Sequence, residues 1–210
     1  ASRGSTRSNE DLSELTVQWR KTIFEDHSFT LLGGYSWQKT HYQNFYMQNF
    51  NFPSNDYTYN NMGTGQALKD GRGTEYSTAN ESKLIGYFGR LNYNFKERYL
   101  LEANLRIDGS SRFSKSNRWG YFPSVSGAWR ISEEPFMENA KHILDGLKIR
   151  ASYGTLGNQN LAGGDAASYY PTTQNLAMGQ ISMNDNIYSL VTLNTLANPD
   201  IKWETTTMLD

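Results

Sequence analysis

The feature that most constrains this chain is a two-residue alternation of apolar and polar side chains in stretches of about ten residues. In the stretch 99–108, apolar residues occupy the odd positions, and Glu102, Asn104, Arg106 and Asp108 lie among the even ones. About 9 to 11 tilted residues cross a bilayer, whereas strands of soluble sheets usually have about 5 to 6. The pattern therefore predicts strands of membrane-spanning length, near residues 15–23, 28–38, 85–95, 99–108, 124–131, 147–153 and 203–209.

The connections between these seven predicted strands alternate between short and long. The short connections are 25–27, 96–98 and 132–146, the last with a predicted helical turn over 135–143, and the long ones are about 38–82, 109–120 and 156–201. Outer-membrane barrels have short periplasmic turns and long extracellular loops. We predict an all-β fold, an antiparallel up-and-down transmembrane β-barrel of which residues 1–210 form part, with the long loops outside the cell.

Composition excludes several other classes of protein. The formal net charge of -1 gives no reason to expect nucleic acid as a partner. No window approaches the roughly 20 apolar residues that a membrane helix needs. Cysteine is absent, so disulfides and thiolate metal sites are excluded. The chain ends at Asp210 inside an alternating stretch, and we therefore expect it to be an internal part of a longer protein.

A series of motifs in the second half of the chain is more specific than the alternation. They read GRLNY at 89–93, RIDGSSRF at 106–113, RWGYFPSVS at 118–126, WRISEEPF at 129–136, LKIRASYG at 147–154, and NP to WE at 198–204. Over roughly residues 82–210 this series resembles the signature segment of the SusC/RagA family of TonB-dependent outer-membrane transporters.

The resemblance implies much that this chain does not itself contain. It implies a barrel of about 22 strands in the outer membrane of a Gram-negative bacterium, with a plug domain and a TonB complex engaged through regions beyond this chain. It also implies a SusD-like surface lipoprotein as partner and import of oligosaccharides, with peptides as the alternative cargo. The expected function is nutrient import without covalent chemistry, so no enzyme activity and no cofactor are expected.

The alternation of side chains along each strand supplies the first set of candidate site residues, since every second residue points to the same face. If the apolar face contacts lipid, the polar face lines the lumen of the barrel. The predicted lumen-facing residues are Arg90, Asn92, Glu102, Asn104, Arg106, Arg130 and Arg150.

Aromatic residues in the first long loop supply the second set. The segment 41–61 mixes aromatic side chains with Asn and Gln, a combination that can pack against sugar rings and bind their hydroxyls. The predicted substrate-binding residues are Tyr42, Phe45, Tyr46, Tyr57 and Tyr59. Packing of the loop on itself, or contact with the lid protein, remains the alternative for this segment.

Neither catalytic nor metal-binding residues are predicted. His27, His41 and His142 are scattered, without the paired spacing of a metal site. The basic loop 109–120 can bind anions at the outer rim or simply be solvated.

Two other functions remain open from the sequence. One is a TonB-dependent receptor for siderophores or cobalamin, which shares the strand pattern and lacks only the signature segment. The other is a soluble extracellular β-sandwich that binds carbohydrate. Long strands and one-sided long loops weigh against the sandwich.

Overall fold

The computed structural model describes residues 1–56, 61–140, 144, 146–160, 170–184 and 186–210. Nine strands lie in this part of the chain: β1 Ser2–Ile23, β2 His27–Gln48, β3 Thr74–Phe95, β4 Tyr99–Ser110, β5 Trp119–Arg130, β6 Lys148–Asn158, β7 Asn175–Met183, β8 Asn186–Thr195 and β9 Glu204–Leu209.

Helical structure is confined to short segments. They are one α-helical turn, α1 (Gln66–Lys69), and the 3-10 turns Met62–Thr64, Ile131–Glu133 and Pro135–Ala140. The helical turn predicted over 135–143 is confirmed as far as Ala140, and residues 141–143 lie outside the described residues. Among the helices that the structure describes, none has the length and apolar character to cross a membrane.

Seven strands form one sheet in the order β1-β2-β3-β4-β5-β6-β9, and β7 and β8 form a separate hairpin. From β3 to β9 each neighbouring pair in the large sheet is antiparallel. The predicted antiparallel fold of seven strands, each beside its predecessor, is therefore confirmed.

Tight turns join the first strands. Lys96 and Glu97 have φ values of 52° and 57°, and Phe24 and Glu25 have 51° and 61°. Two consecutive left-handed residues occur in type I′ turns, whose twist matches that of the flanking strands, and in the 96–97 turn the Arg98 N–H donates to the Phe95 carbonyl at 3.0 Å, as such a turn requires. Non-glycine residues are strained in the left-handed region, and here the pairing of the two flanking strands compensates for that strain.

The strand ends differ from the predicted ones. β1 begins at Ser2 and not near Leu15, β2 continues to Gln48, and β3 begins at Thr74. Residues 2–11 contain no apolar side chain, so there is no alternation from which to predict a strand, although the backbone continues its hydrogen bonding. The hairpin β7–β8 lies within the third long connection, where no strand was predicted.

The two faces of β3 to β6 have opposite chemistry, and the large side chains of the apolar face are exposed. Leu101, Leu105, Tyr121 and Ile149 are 45–64% exposed, although all are large apolar or aromatic residues. Among the residues that the structure describes, the buried polar ones are Ser36, Asn49, Asp108, Ser110, Ser132 and Glu134. Soluble domains show the opposite distribution, so hydrocarbon is the solvent that suits this surface.

The chain divides into two compact units. The first comprises residues 1–11 and 39–82, and the second comprises residues 12–38 and 83–210. In the second unit Phe113, Phe122 and Trp203 form a small buried cluster with Leu84 and Ile201 packed against it.

Candidate functional site

The polar face of β3 to β6 is the candidate site, because strand register brings its side chains together. Arg90 lies opposite Asn104, and Asn92 lies opposite Glu102. On the other side of β4, Asn104 faces Ser124. Cross-strand partners are close enough to interact directly, so the polar residues form rows across the sheet.

Hydrogen bonds connect the centre of this face. Arg90 Nε donates to Asn104 Oδ1 at 2.7 Å. Asn104 Nδ2 lies within donating distance of Glu102 Oε1 at 2.8 Å and of Ser124 Oγ at 3.3 Å. The Arg90 and Glu102 side chains are 4.0 Å apart. These four side chains hold one another in position across three strands.

A second polar group lies further along the same face. Arg106 Nε donates to Asp108 Oδ2 at 2.7 Å, and its guanidinium lies 5.8 Å from the Phe88 ring centroid. Gly86 leaves room for this arrangement, since a Cβ there would lie 2.6 Å from Asp108 Oδ1 and 2.6 Å from Ser36 Oγ. The group combines a buried carboxylate with a cation that an aromatic ring supports.

Two open depressions lie on this face. The larger, about 1000 Å³, is bordered by polar residues of β3, β4 and β6, among them Arg90, Asn104, Arg106 and Arg150. The smaller, about 330 Å³, is lined by Ser28, Thr30, Asn92, Tyr93, Asn94, Leu100, Leu101, Glu102, Ser126, Ala128, Lys148 and Arg150. Hydroxyl, amide and charged groups therefore line both depressions, together with apolar residues such as Phe122 and Leu156 in the larger one.

Six of the seven residues predicted to face the lumen border these depressions: Arg90, Asn92, Glu102, Asn104, Arg106 and Arg150. Arg130 differs. Its Nη1 lies 3.3 Å from the Glu97 carbonyl and 3.8 Å from the Glu97 carboxylate, at the end of the sheet where the short turns lie. That this face lines a lumen stays a prediction.

The three described residues of the predicted aromatic site do not all lie on one side of the chain. Tyr42, Phe45 and Tyr46 lie on β2 and not in a loop, so alternation puts Tyr42 and Tyr46 on one side of the strand and Phe45 on the other. Tyr46 packs against Tyr76 with ring centroids 5.5 Å apart. Among the described residues of this set, only Tyr42 and Tyr46 share one side of the strand. The two remaining residues, Tyr57 and Tyr59, lie outside the described residues.

Asn49 organises the segment that follows β2, and nothing in the sequence singled it out. It is fully buried, and its Nδ2 donates to the carbonyls of Met62 at 2.7 Å and Gly65 at 3.0 Å. Its Oδ1 accepts from the backbone N–H groups of Phe50 and Leu68, each at 2.9 Å. The Asn49 side chain thus uses both its NH2 group and its oxygen to hold the segment around α1 in place.

The basic loop between β4 and β5 is held against the segment that precedes β9. Ser114 Oγ donates to the Pro199 carbonyl at 2.8 Å, and Asn117 Nδ2 donates to the same oxygen at 3.1 Å. Trp203 Nε1 donates to the Arg118 carbonyl at 2.9 Å. The loop thus packs on the buried aromatic cluster, and anion binding by its basic side chains stays a prediction.

At the opposite end of β4 and β5, Glu134 is buried among donors. Its Oε1 accepts from Tyr99 Oη at 2.6 Å and from Trp129 Nε1 at 3.0 Å, and Arg98 Nη1 lies 3.4 Å from Oε2. The Tyr99 hydrogen bond, followed by that of Trp129, lowers the pKa of the Glu134 carboxyl, and the Arg98 charge adds to the effect. The group fixes the connection 131–140 to the strand ends.

Histidines do not form a metal site in the described residues. His27 Nδ1 lies 2.9 Å from Tyr93 Oη, and His41 Nδ1 lies 3.8 Å from Glu81. No group of three or more potential metal ligands occurs in the part of the chain that the structure describes. His142 lies outside that part.

Comparison with protein families and curated proteins gives consistent matches. A family model described as TonB dependent receptor-like, beta-barrel, matches residues 2–210. The chain is 36% identical over 198 residues to TonB-dependent receptor P26 of Formosa agariphila, covering 94% of this chain and 19% of that protein. It is 44% identical over 135 residues to TonB-dependent receptor SusC of Bacteroides thetaiotaomicron, covering 64% of this chain and 13% of that protein.

Solved structures show the same fold. The RagAB peptide importer in its 'closed-closed' state superposes with a TM-score of 0.83 at 22% identity, over 99% of this chain and 22% of that one. The RagAB peptide transporter superposes with a TM-score of 0.81, also at 22% identity, over 98% of this chain and 21% of that one. The chain spans about a fifth of the length of the curated relatives it matches.

Proposed function

This chain belongs to the TonB-dependent receptor β-barrel family of the outer membrane, and on that premise we propose that the protein imports a nutrient through a plugged barrel. The observation that carries the proposal is the contrast between the two faces of β3 to β6. The exposed apolar face suits lipid, and the opposite face carries a connected polar network beside open depressions. Outer-membrane channels need both surfaces in one sheet.

The barrel wall has a simple role in this mechanism. Its polar groups solvate cargo and hold water where the membrane offers neither, and no bond of the cargo is made or broken. Arg90, Asn104 and Arg106 are the wall residues for which we propose such contacts, since each borders the larger depression. Energy for import comes from a TonB complex acting on regions outside this chain, and a SusD-like lipoprotein closes the outer side.

We propose oligosaccharides as the cargo. The amide and hydroxyl groups on the polar face both donate and accept hydrogen bonds, as sugar hydroxyls require. Tyr42 and Tyr46, which share one side of β2, are the aromatic residues for which we propose sugar contact. Tyr42 Oη accepts from Asn44 Nδ2 at 3.3 Å, so an aromatic face and an amide lie together there.

The first test is whether the complete protein is a folded barrel in the outer membrane. The full gene is expressed, the envelope is fractionated, and gel mobility is compared before and after heating. We expect an outer-membrane product whose mobility changes on heating. A freely soluble folded product contradicts the proposal and favours the sandwich.

The second test separates cargo classes. Cells with and without the gene are given labelled neutral oligosaccharides or labelled peptides, in the presence or absence of a protonophore. We expect gene-dependent sugar uptake that the protonophore abolishes. If only peptides are taken up, the sugar cargo is wrong and the transport function stands. If gene-dependent uptake is unchanged by the protonophore, the TonB-driven mechanism is wrong.

A further inference from the structure

The cations on the polar face fall into two groups. Arg90 and Arg106 each bond a neighbouring polar side chain, at 2.7 Å in both cases. Lys148 and Arg150 have no hydrogen bond or ion pair to any residue in the described ranges, and both are exposed. Because they lie two residues apart on β6, they project from the same side of the strand.

The smaller depression places neutral polar groups beside these two cations. Lys148 and Arg150 both line it, together with the hydroxyls of Ser28, Thr30 and Ser126 and the amides of Asn92 and Asn94, among other residues. Its volume of about 330 Å³ is at the lower end of ligand-sized sites. The groups present suit a ligand that carries both hydroxyls and a negative charge.

Among the described residues, Glu102 is the one carboxylate that lines this depression, and it already has hydrogen-bonding partners. Its Oε1 accepts from Asn104 at 2.8 Å and lies 4.0 Å from Arg90 Nε. Those partners belong to β3 and β4, on the side of the depression away from β6. Asp210 lines the larger depression with Arg150, and its carboxylate accepts from Ser152 Oγ at 3.3 Å. Neither Glu102 nor Asp210 forms an ion pair with Lys148 or Arg150 in the described structure.

We propose that Lys148 and Arg150 form an anion subsite that binds the carboxylate of a uronic-acid unit in an oligosaccharide. The proposal rests on the sugar-import function above and names the class of cargo. The planar guanidinium of Arg150 can bond both oxygens of a carboxylate, and Lys148 adds a point charge. The neighbouring hydroxyls and amides bond the ring hydroxyls of the same unit.

The test uses the full-length protein purified from outer membranes. Two matched ligand mixtures are compared by titration calorimetry: uronic-acid oligosaccharides, and the same mixture after chemical reduction of its carboxyl groups. We expect the acidic mixture to bind at least about tenfold more tightly, since a hydrogen bond to a charged group contributes about 1.5–3 kcal/mol. Raising salt weakens only the acidic ligand.

Variants assign the effect to the two residues. Arg150→Gln combined with Lys148→Gln removes the preference for the acidic mixture. Arg150→Lys alone weakens the preference without removing it, because the charge is kept and the planar fork is lost. Lys96→Gln is the control for loss of a positive charge outside the subsite. It removes one charge where the double variant removes two, and Lys96 pairs with Asp26 at a turn, 3.5 Å away, and lines neither depression.

The outcomes separate this subsite from the import function. Equal binding of both mixtures by the native protein overturns the subsite and leaves sugar import standing. A preference that survives the double substitution also overturns it. Absence of sugar binding and of gene-dependent sugar uptake overturns both proposals. A double variant that unfolds at lower temperature without changing the preference assigns the two cations to contacts within the barrel, and the subsite is then wrong.

Discussion

Gly157 lies so close to a buried aromatic ring that a larger residue would collide with it. A Cβ on Gly157 would lie 2.0 Å from Cζ of Phe122, which is itself buried against Trp203. We expect Gly157→Ala to lower the free energy of unfolding by about 1–3 kcal/mol, because the ring has no room to withdraw. Heat-modifiable gel mobility over a temperature series measures the change. Gly127→Ala is the control, since nothing lies within 4 Å of its added methyl group, and an equal loss in both variants refutes the argument.

Glu134 supplies a residue-scale prediction about pH. Its pKa is lowered in the folded protein by Tyr99, Trp129 and Arg98, so its ionised form stabilises the fold. That stabilisation is fully present above the ordinary carboxyl pKa of about 4.3 and is lost as pH falls through the lowered value. We expect the unfolding temperature of the native protein to fall more steeply below about pH 4 than that of Glu134→Gln. Parallel curves for the two proteins contradict this role for the carboxylate.

Between elements, the packing of the 111–118 loop on the segment before β9 depends on Trp203. Its ring lies 5.3 Å from Phe113 and 5.4 Å from Phe122, and its Nε1 bonds the Arg118 carbonyl. We expect Trp203→Ala to cost about 3–5 kcal/mol and to release the loop. Protease added to intact cells then cuts this loop faster. The exposed Trp119 provides the control substitution to Ala, and faster cutting in both variants refutes the specific role of Trp203.

The strand faces could be predicted from the sequence, whereas several ends and contacts could not. The alternation at 99–108 arises because one face of the strand suits lipid and the other suits water. That pattern can be read within a single strand, without knowledge of its neighbours. The chain 39–48 is also strand, yet its polar and aromatic residues have no such period to reveal it. β7 and β8 carry apolar residues on both faces, so the period is lost there too. The buried amide of Asn49 depends on carbonyls at Met62 and Gly65, which no short window of sequence connects.

At the scale of the whole molecule, one face of the sheet exposes apolar side chains and the other carries polar ones. A charge introduced on the apolar face is therefore expected to destabilise the protein more than a charge introduced on the polar face. Leu105 lies mid-strand on the exposed apolar face, and Ser126 lies on the polar face. Leu105→Arg is expected to destabilise the barrel by about 2–4 kcal/mol, the cost of a lipid-facing cation near the bilayer midplane. Ser126→Arg is expected to fold normally. The folded fraction of unheated outer-membrane samples tests both, and equal tolerance would contradict the lipid assignment of the apolar face.

The strand order also bears on the sequence in which the strands of the sheet pair during folding. From β1 to β6 every strand pairs with the one made just before it, and the longest connection to be closed in this part of the sheet is residues 49–73. β9 pairs with β6 across residues 159–203, a longer connection than 49–73, so its closure costs more chain entropy than that of any earlier pair. Since β7 and β8 pair only with each other in the described structure, they can form while β9 is still unpaired. Docking of β9 is therefore expected to be the slow step in building this part of the wall.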